Sequence, residues 1–190
     1  MFSFDPSAYG PAAARLLAEE RLPPLGPGRP NAAVRAELEA LTIDSLFEPG
    51  RAKDRDMANA CISGLWLYHD YLDRSHTISQ SIRTTTGSYW HGVMHRREPD
   101  FDNSRYWFHR VGEHPIFAAL ADAARRIAAS AGPIDKAAWL TRVKGWDPFR
   151  FIDLCAACYA NDDADQRVCR RVGLEEWRLL FDYSHRRAIE

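Results

Sequence analysis

The feature that most constrains this chain is a helical spacing of apolar residues in the segment 54–74. These residues recur at intervals of three or four, the period of a helix that buries one stripe of its surface. They are Met57, Cys61, Leu65, Tyr68 and Leu72. We therefore predict a central helix from about Asp54 to Arg74. Alternation of apolar and polar residues, the pattern of a half-buried strand, is not evident anywhere in the chain.

Prolines, glycines and capping residues mark the ends of further helices. Besides the central helix, the predicted helices cover residues 12–20, 31–47, 88–98, 102–111 (with Asp100 or Asp102 as the cap), 116–130, 134–143, 149–160 and 163–187, the last with a break near Gly173. We predict an all-α fold, an irregular bundle of about eight helices packed as helical hairpins.

The length of 190 residues fits one domain. We predict a single all-helical domain over residues 1–190, with residues 1–30 as a loosely packed N-terminal arm. The reason is that residues 22–30 contain four prolines and two glycines, a composition typical of an extended connection. The four cysteines, Cys61, Cys155, Cys158 and Cys169, are expected to be reduced and packed, with metal or redox chemistry at Cys155 and Cys158 as the alternative.

Composition excludes several classes of protein. Hydrophobic residues make up 46% of the chain and charged residues 27%, which is typical of a soluble globular protein and not of a disordered one. The formal net charge of -1 argues against a general binder of nucleic acid or of anionic membranes. No apolar run reaches the roughly 20 residues of a membrane span, and the start of the chain lacks the pattern of a secretory signal. We expect a cytoplasmic protein.

One quarter of the chain concentrates the residues suited to a functional site. Residues 66–115 contain six of the seven histidines together with three tryptophans and four tyrosines. Titratable rings beside large amphipathic aromatic side chains are typical of a binding pocket. The histidines of this block are His69, His76, His91, His95, His109 and His114.

A metal site is one interpretation of this block. His91, His95 and Glu98 are spaced so that all three lie on one side of a helix, and this ligand set suits Zn, Fe or Mn. The same residues are the candidates for acid/base catalysis. If the central helix is unbroken, further ligands have the same spacing. They are His69, Asp73 and His76.

A pocket for a small polar or anionic ligand is the second element of the interpretation, because Arg binds carboxylate and phosphate while aromatic rings form apolar walls. The predicted ligand-binding residues are Arg97, Trp90, Tyr106, Trp107 and Arg110. The hydroxyl-rich segment 84–88 before the next helix could hold an anion on backbone N–H groups or serve as an ordinary helix cap. An internal network of hydrogen bonds and ion pairs is the alternative to a ligand site.

The block also resembles a group of uncharacterised all-helical bacterial proteins. The similar segments are Ser-Tyr-Trp-His-x-x-Met-His-Arg-Arg-Glu-Pro-Asp at 88–100, Asn-x-x-Tyr-Trp-Phe at 103–108 and Arg-Val-Gly-x-His-Pro at 110–115. This resemblance implies a helical fold and no particular activity. A looser likeness to one tetratricopeptide hairpin lacks the second copy that a repeat protein requires.

Two functions follow from the sequence. The first is a protein that binds a small polar or anionic molecule in the pocket of residues 66–115, with metal-assisted or acid/base chemistry. The alternative is a non-catalytic helical interaction module with a structural polar core, which would expose an apolar patch. The sequence does not indicate an oligomeric state.

Overall fold

Ten α-helices and three short 3-10 helices form the fold in the computed structural model, which describes residues 2–190. No strand occurs within that range, so the all-α prediction is confirmed. The α-helices are α1 (Pro11–Leu16), α2 (Arg35–Ala40), α3 (Ile43–Leu46), α4 (Arg55–Tyr68), α5 (Leu72–Ser79), α6 (Thr85–Arg97), α7 (Phe101–Val111), α8 (Phe117–Ser130), α9 (Pro148–Cys158) and α10 (Ala164–Ile189). The 3-10 helices are Pro6–Tyr9, Ala32–Val34 and Ala138–Arg142.

The prediction of one unbroken helix from Asp54 to Arg74 is wrong, because the chain turns between α4 and α5. Asp70 adopts the left-handed conformation with φ of 65°, which Asp tolerates better than most residues. Its buried carboxylate accepts hydrogen bonds from Arg97 and Arg21. These two partners hold the turn and direct α5 away from the axis of α4.

Other helix ends differ from the predictions for local reasons. The helix predicted over 31–47 is divided, because Thr42 and Ser45 form a capping box that begins α3. Within the segment predicted as helix 134–143, only the 3-10 helix Ala138–Arg142 forms. Gly173 does not interrupt α10. Gly112 follows α7 with a φ of 59° and a ψ of -123°, a conformation that glycine adopts readily because it has no Cβ.

The N-terminal arm is packed against the core, in contrast to the loose arm predicted from its prolines. Tyr9, Leu16 and Leu25 are buried, and the Tyr9 hydroxyl donates to Asp182 of α10. Segment 22–30 forms no helix, so its backbone carbonyls have no helical partners and can accept hydrogen bonds from other elements. The carbonyls of Pro23 and Leu22 accept hydrogen bonds from Arg170.

Helix α6 occupies the centre of the fold and is buried along nearly its whole length. It contacts α4, α5 and α7. Gly92 permits the close approach of α7, since a Cβ at this position would lie 2.9 Å from the Phe108 ring. Ser104 of α7 donates to the Gly92 carbonyl at 2.8 Å. Because α6 is buried and carries polar side chains, each of these side chains needs a hydrogen-bond or ion-pair partner inside the protein.

Helix α10 supplies several of these partners. Arg96 of α6 forms a buried ion pair with Glu176, and the Tyr89 hydroxyl donates to the same carboxylate at 3.0 Å. The indole N–H of Trp90 donates to Ser184 at 3.1 Å. The guanidinium of Arg96 also lies 4.7 Å from the centre of the Phe151 ring of α9. The Arg96–Glu176 ion pair and the hydrogen bonds from Tyr89 and Trp90 together fix α6 against α10.

Two sequence expectations concern the remaining interior and the membrane. All four cysteines are buried and free, as predicted. Among the described residues, no helix combines the length and the apolar character that crossing a bilayer requires.

The buried ion pair generates a stability prediction. Glu176→Ala leaves the Arg96 guanidinium buried without a countercharge, so we expect the free energy of unfolding to fall by about 3–5 kcal/mol. Replacing both residues by apolar ones, Arg96→Met with Glu176→Leu, removes both charges and is expected to recover most of that loss. Urea denaturation of the three proteins measures this. A double variant less stable than Glu176→Ala would contradict it.

Candidate functional site

Three histidines from two helices meet at the surface of α6. His76 lies on α5, and His91 and His95 lie one turn apart on α6. One ring nitrogen from each histidine lies within 4.8 Å of the other two. His91 and His95 are buried, whereas His76 is partly exposed, so the cluster opens to solvent on the α5 side. We call these three residues the histidine cluster.

A chain of short contacts orients the two buried rings. Ser79 Oγ lies 2.9 Å from His91 Nδ1, and His91 Nε2 lies 3.0 Å from His95 Nε2. Glu98 Oε2 lies 3.2 Å from His95 Nδ1. The geometry at this last contact is outside that of a hydrogen bond, which leaves the buried Nδ1 without a hydrogen-bond partner. Asp100 Oδ2 lies 3.8 Å from the same nitrogen.

Two assignments of the protons fit these contacts, since hydrogen positions follow from the network. In the first, Ser79 donates to His91, His91 donates to His95, and His95 presents Nδ1–H to Glu98. In the second, Ser79 donates to the backbone carbonyl of His76 at 3.3 Å and accepts from His91 Nδ1. His91 Nε2 then carries a lone pair. It can accept from an Nε2–H of His95 or, when His95 carries its proton on Nδ1, face a bound cation together with the Nε2 lone pair of His95.

Neither assignment involves the His76 ring, whose nitrogens make no hydrogen bond within the described residues. The ring lies beside both of the others, so a metal ion bound by all three histidines would give it a partner. The ring centre of His76 lies 4.7 Å from that of His91 and 5.2 Å from that of His95.

The surroundings favour the neutral form of the buried rings. Burial, followed by the charges of His95 and His76, lowers the pKa of His91 to about 3. Burial and then His76 lower the pKa of His95, against an opposing effect of Asp100. Burial also raises the pKa of Glu98. Neutral imidazole is the form that binds metal ions.

Some predicted site residues lie outside the cluster. His69 ends α4, where its Nε2 contacts the Leu16 carbonyl at 2.9 Å, so the turn at Asp70 separates it from His76. Trp90 faces α10 and Arg97 pairs with Asp70. Both side chains therefore serve internal contacts. Asp73 is exposed and lines a neighbouring cleft of about 720 Å³, which Glu98 and Asp100 also line.

The other predicted ligand-binding residues lie on α7. Trp107 packs against His91, with ring centres 4.2 Å apart. Arg110 lies over the rings of Trp107 and Tyr106, at 5.4 and 5.9 Å from their centres. Tyr106 is 54% exposed and packs against Trp107, with its ring centre 5.5 Å from that of Trp107. Sequence reasoning assigned no ligand-orienting role to Ser79, although its position three residues after His76 places it on a neighbouring part of α5.

No family model, curated protein or solved structure matches this chain. The resemblance to uncharacterised helical bacterial proteins stays a prediction.

His114 generates a pH prediction. Its ring is buried against Tyr89, and burial lowers its pKa to about 4. The Ile116 N–H donates to its Nδ1, which requires the neutral ring. The unfolded chain binds a proton here near pH 6.5, so this contribution to stability is complete above that pH and is lost as pH falls toward 4. The slope is at most about 1.4 kcal/mol per pH unit for this histidine.

Denaturation at several pH values between about 4.5 and 7.5 tests this, with His114→Gln expected to flatten the dependence. His109→Gln, at an exposed position on α7, is the control and should keep the wild-type slope. Equal slopes for all three proteins would refute the role of His114.

Proposed function

We propose that the protein binds a divalent transition metal ion through His76, His91 and His95, and that the metal acts on a small polar or anionic molecule. The observation that carries this proposal is the convergence of three imidazole nitrogens within 4.8 Å. Two nitrogens bound to tetrahedral zinc lie roughly 3.3 Å apart, given Zn–N bonds of about 2.0–2.1 Å. The 3.0 Å between His91 Nε2 and His95 Nε2 is close to that separation.

The donor set supports some metals over others. Of the three ions suggested by the sequence, zinc and iron suit imidazole ligands, whereas manganese prefers carboxylate oxygens. Glu98 has its carboxylate at the Nδ1 side of His95, opposite the nitrogen that faces His91. We therefore do not assign Glu98 as a metal ligand.

Contacts behind the ligands support the same proposal. Metal-binding histidines commonly direct their second ring nitrogen to a carboxylate or another acceptor, which fixes the tautomer. Here Ser79 takes this role for His91, whereas the Glu98 carboxylate lies 3.2 Å from Nδ1 of His95 without forming a hydrogen bond. A metal ion between the Nε2 atoms also satisfies the proton assignment in which both lone pairs face inward.

Three protein ligands leave room for a water molecule or a substrate at the metal, which is typical of catalytic zinc sites. A bound zinc ion lowers the pKa of its water to about 7 and polarises carbonyl or phosphoryl oxygens. The partial exposure of His76 gives a small molecule access to this position. The interaction-module alternative is less favoured, because only four large hydrophobic side chains are exposed among the described residues: Leu22, Tyr106, Tyr159 and Ile189.

Metal analysis tests the proposal directly. Incubation of the wild-type protein with Zn²⁺ or Fe²⁺, followed by gel filtration and elemental analysis, should give about one ion per chain. The double variant His91→Ala/His95→Ala should retain none. Free metal at about 100 times its dissociation constant should raise the free energy of unfolding of the wild type by about 2.7 kcal/mol.

His109→Ala is the matched control, since it removes an exposed histidine on α7 and should bind metal as the wild type does. Retention of equal metal by the wild type and the double variant, or the absence of metal from both, would overturn the proposal.

A further inference from the structure

A second cleft, of about 500 Å³, lies at the start of α6 beside the histidine cluster. Its wall is formed by the loop before α6, the first turn of that helix and one face of α7. The residues that line it are Gln80, Ile82, Arg83, Thr84, Thr85, Ser88, Trp107 and Arg110. We call it the arginine cleft.

The charged side chains that line the arginine cleft are both positive. Arg83 and Arg110 are both exposed, and neither forms an ion pair with an acidic residue in the described part of the chain. No Asp or Glu lines the cleft. By contrast, Arg96 and Arg97 of α6 are buried and paired with carboxylates. The two guanidinium groups of the cleft are thus available to an external anion.

Ser88 adds an unpaired hydroxyl to the lining of the cleft. The residue is only 7% exposed and lines the cleft, yet its hydroxyl makes no hydrogen bond to the described residues. The hydroxyl is therefore free to bind a molecule in the cleft. The first turn of α6 adds backbone N–H groups without helical partners, and the positive end of its dipole favours an anion. Thr84 already caps one of these groups, the N–H of Gly87.

We propose that the arginine cleft binds an oxyanion group, a phosphate or a carboxylate, of a small molecule. Arg83 and Arg110 supply the charge and planar donors that suit such groups. Ser88 and the start of α6 supply further donors from a rigid helix. Trp107 forms an apolar wall, on which Arg110 is held by stacking 5.4 Å from the ring centre.

The position of the cleft links it to the histidine cluster. Ser88 precedes His91 by one helical turn, and the Trp107 ring packs on the His91 ring. Gln80 follows Ser79, which contacts His91. An anion held in the arginine cleft places the remainder of its molecule beside the cluster. The assignment of that molecule as the substrate rests on the proposed function, whereas anion binding itself does not.

Calorimetric titration of inorganic phosphate and, separately, of acetate into the full chain at constant ionic strength tests the cleft. Chelator-treated protein is used first, so that phosphate cannot bind through a metal. We expect saturable binding of at least one of the two anions, weakened about tenfold or more in Arg83→Gln and in Arg110→Gln. Arg126→Gln, which removes an exposed arginine of α8, is the matched control and should bind like the wild type.

The possible results distinguish the anion site in the arginine cleft from the metal site in the histidine cluster. Binding of phosphate alone or acetate alone supports the cleft and identifies the anion. The absence of binding of both, or equal binding by wild type and both cleft variants, overturns the cleft even if the protein holds a metal ion. Anion binding that persists in His91→Ala/His95→Ala supports the cleft as a separate site. Melting curves of the exposed arginine variants should match the wild type, which excludes misfolding as the cause of lost binding.

Discussion

The burial of α6 is the constraint on which the rest of the structure depends. A helix enclosed on most sides must be apolar or have partners for its polar side chains, because an unpaired buried charge costs several kcal/mol. Arg96 finds Glu176 on α10, and Arg97 finds Asp70 at the turn between α4 and α5. Those partners fix the two elements that carry them. The close contact of α7 at Gly92 completes the enclosure.

The same helix carries both candidate sites. Its first turn faces the arginine cleft, and His91 and His95 follow within the next three turns. Because packing holds α6 on several sides, the distance between the two sites is fixed by a rigid element and not by a loop. Rigid support of this kind is what a binding or catalytic arrangement requires. Asp73, Glu98 and Asp100 line the cleft on the His95 side together with Arg74, whereas the cleft on the Ser88 side contains Arg83 and Arg110 and no acidic residue.

Local signals made much of the fold predictable. Asp100, Gly112 and Pro115 mark the limits of α7 and α8 within a few residues, and their effects depend on neighbouring backbone groups. The turn at Asp70 was not predictable in this way, because its partners Arg97 and Arg21 lie 27 and 49 residues away in sequence. The same turn explains which site residues could be predicted. His91 and His95 lie on one helix, so their spacing in the sequence predicts that they are neighbours. The grouping of His69 with His76 was wrong, because it required α4 and α5 to be one unbroken helix.

The histidine cluster also has a simple place in the order of folding. Its three residues lie within about twenty positions of one another, on two helices joined by a short connection, so closing this loop costs little chain entropy. The Arg96 to Glu176 pair spans 80 residues and forms only when α10 docks. The hairpin of α5 and α6 can therefore bring the imidazoles together before the long-range core exists. A metal ion captured at that stage would act as a local clamp, fixing the α5–α6 angle on which the other helices then assemble.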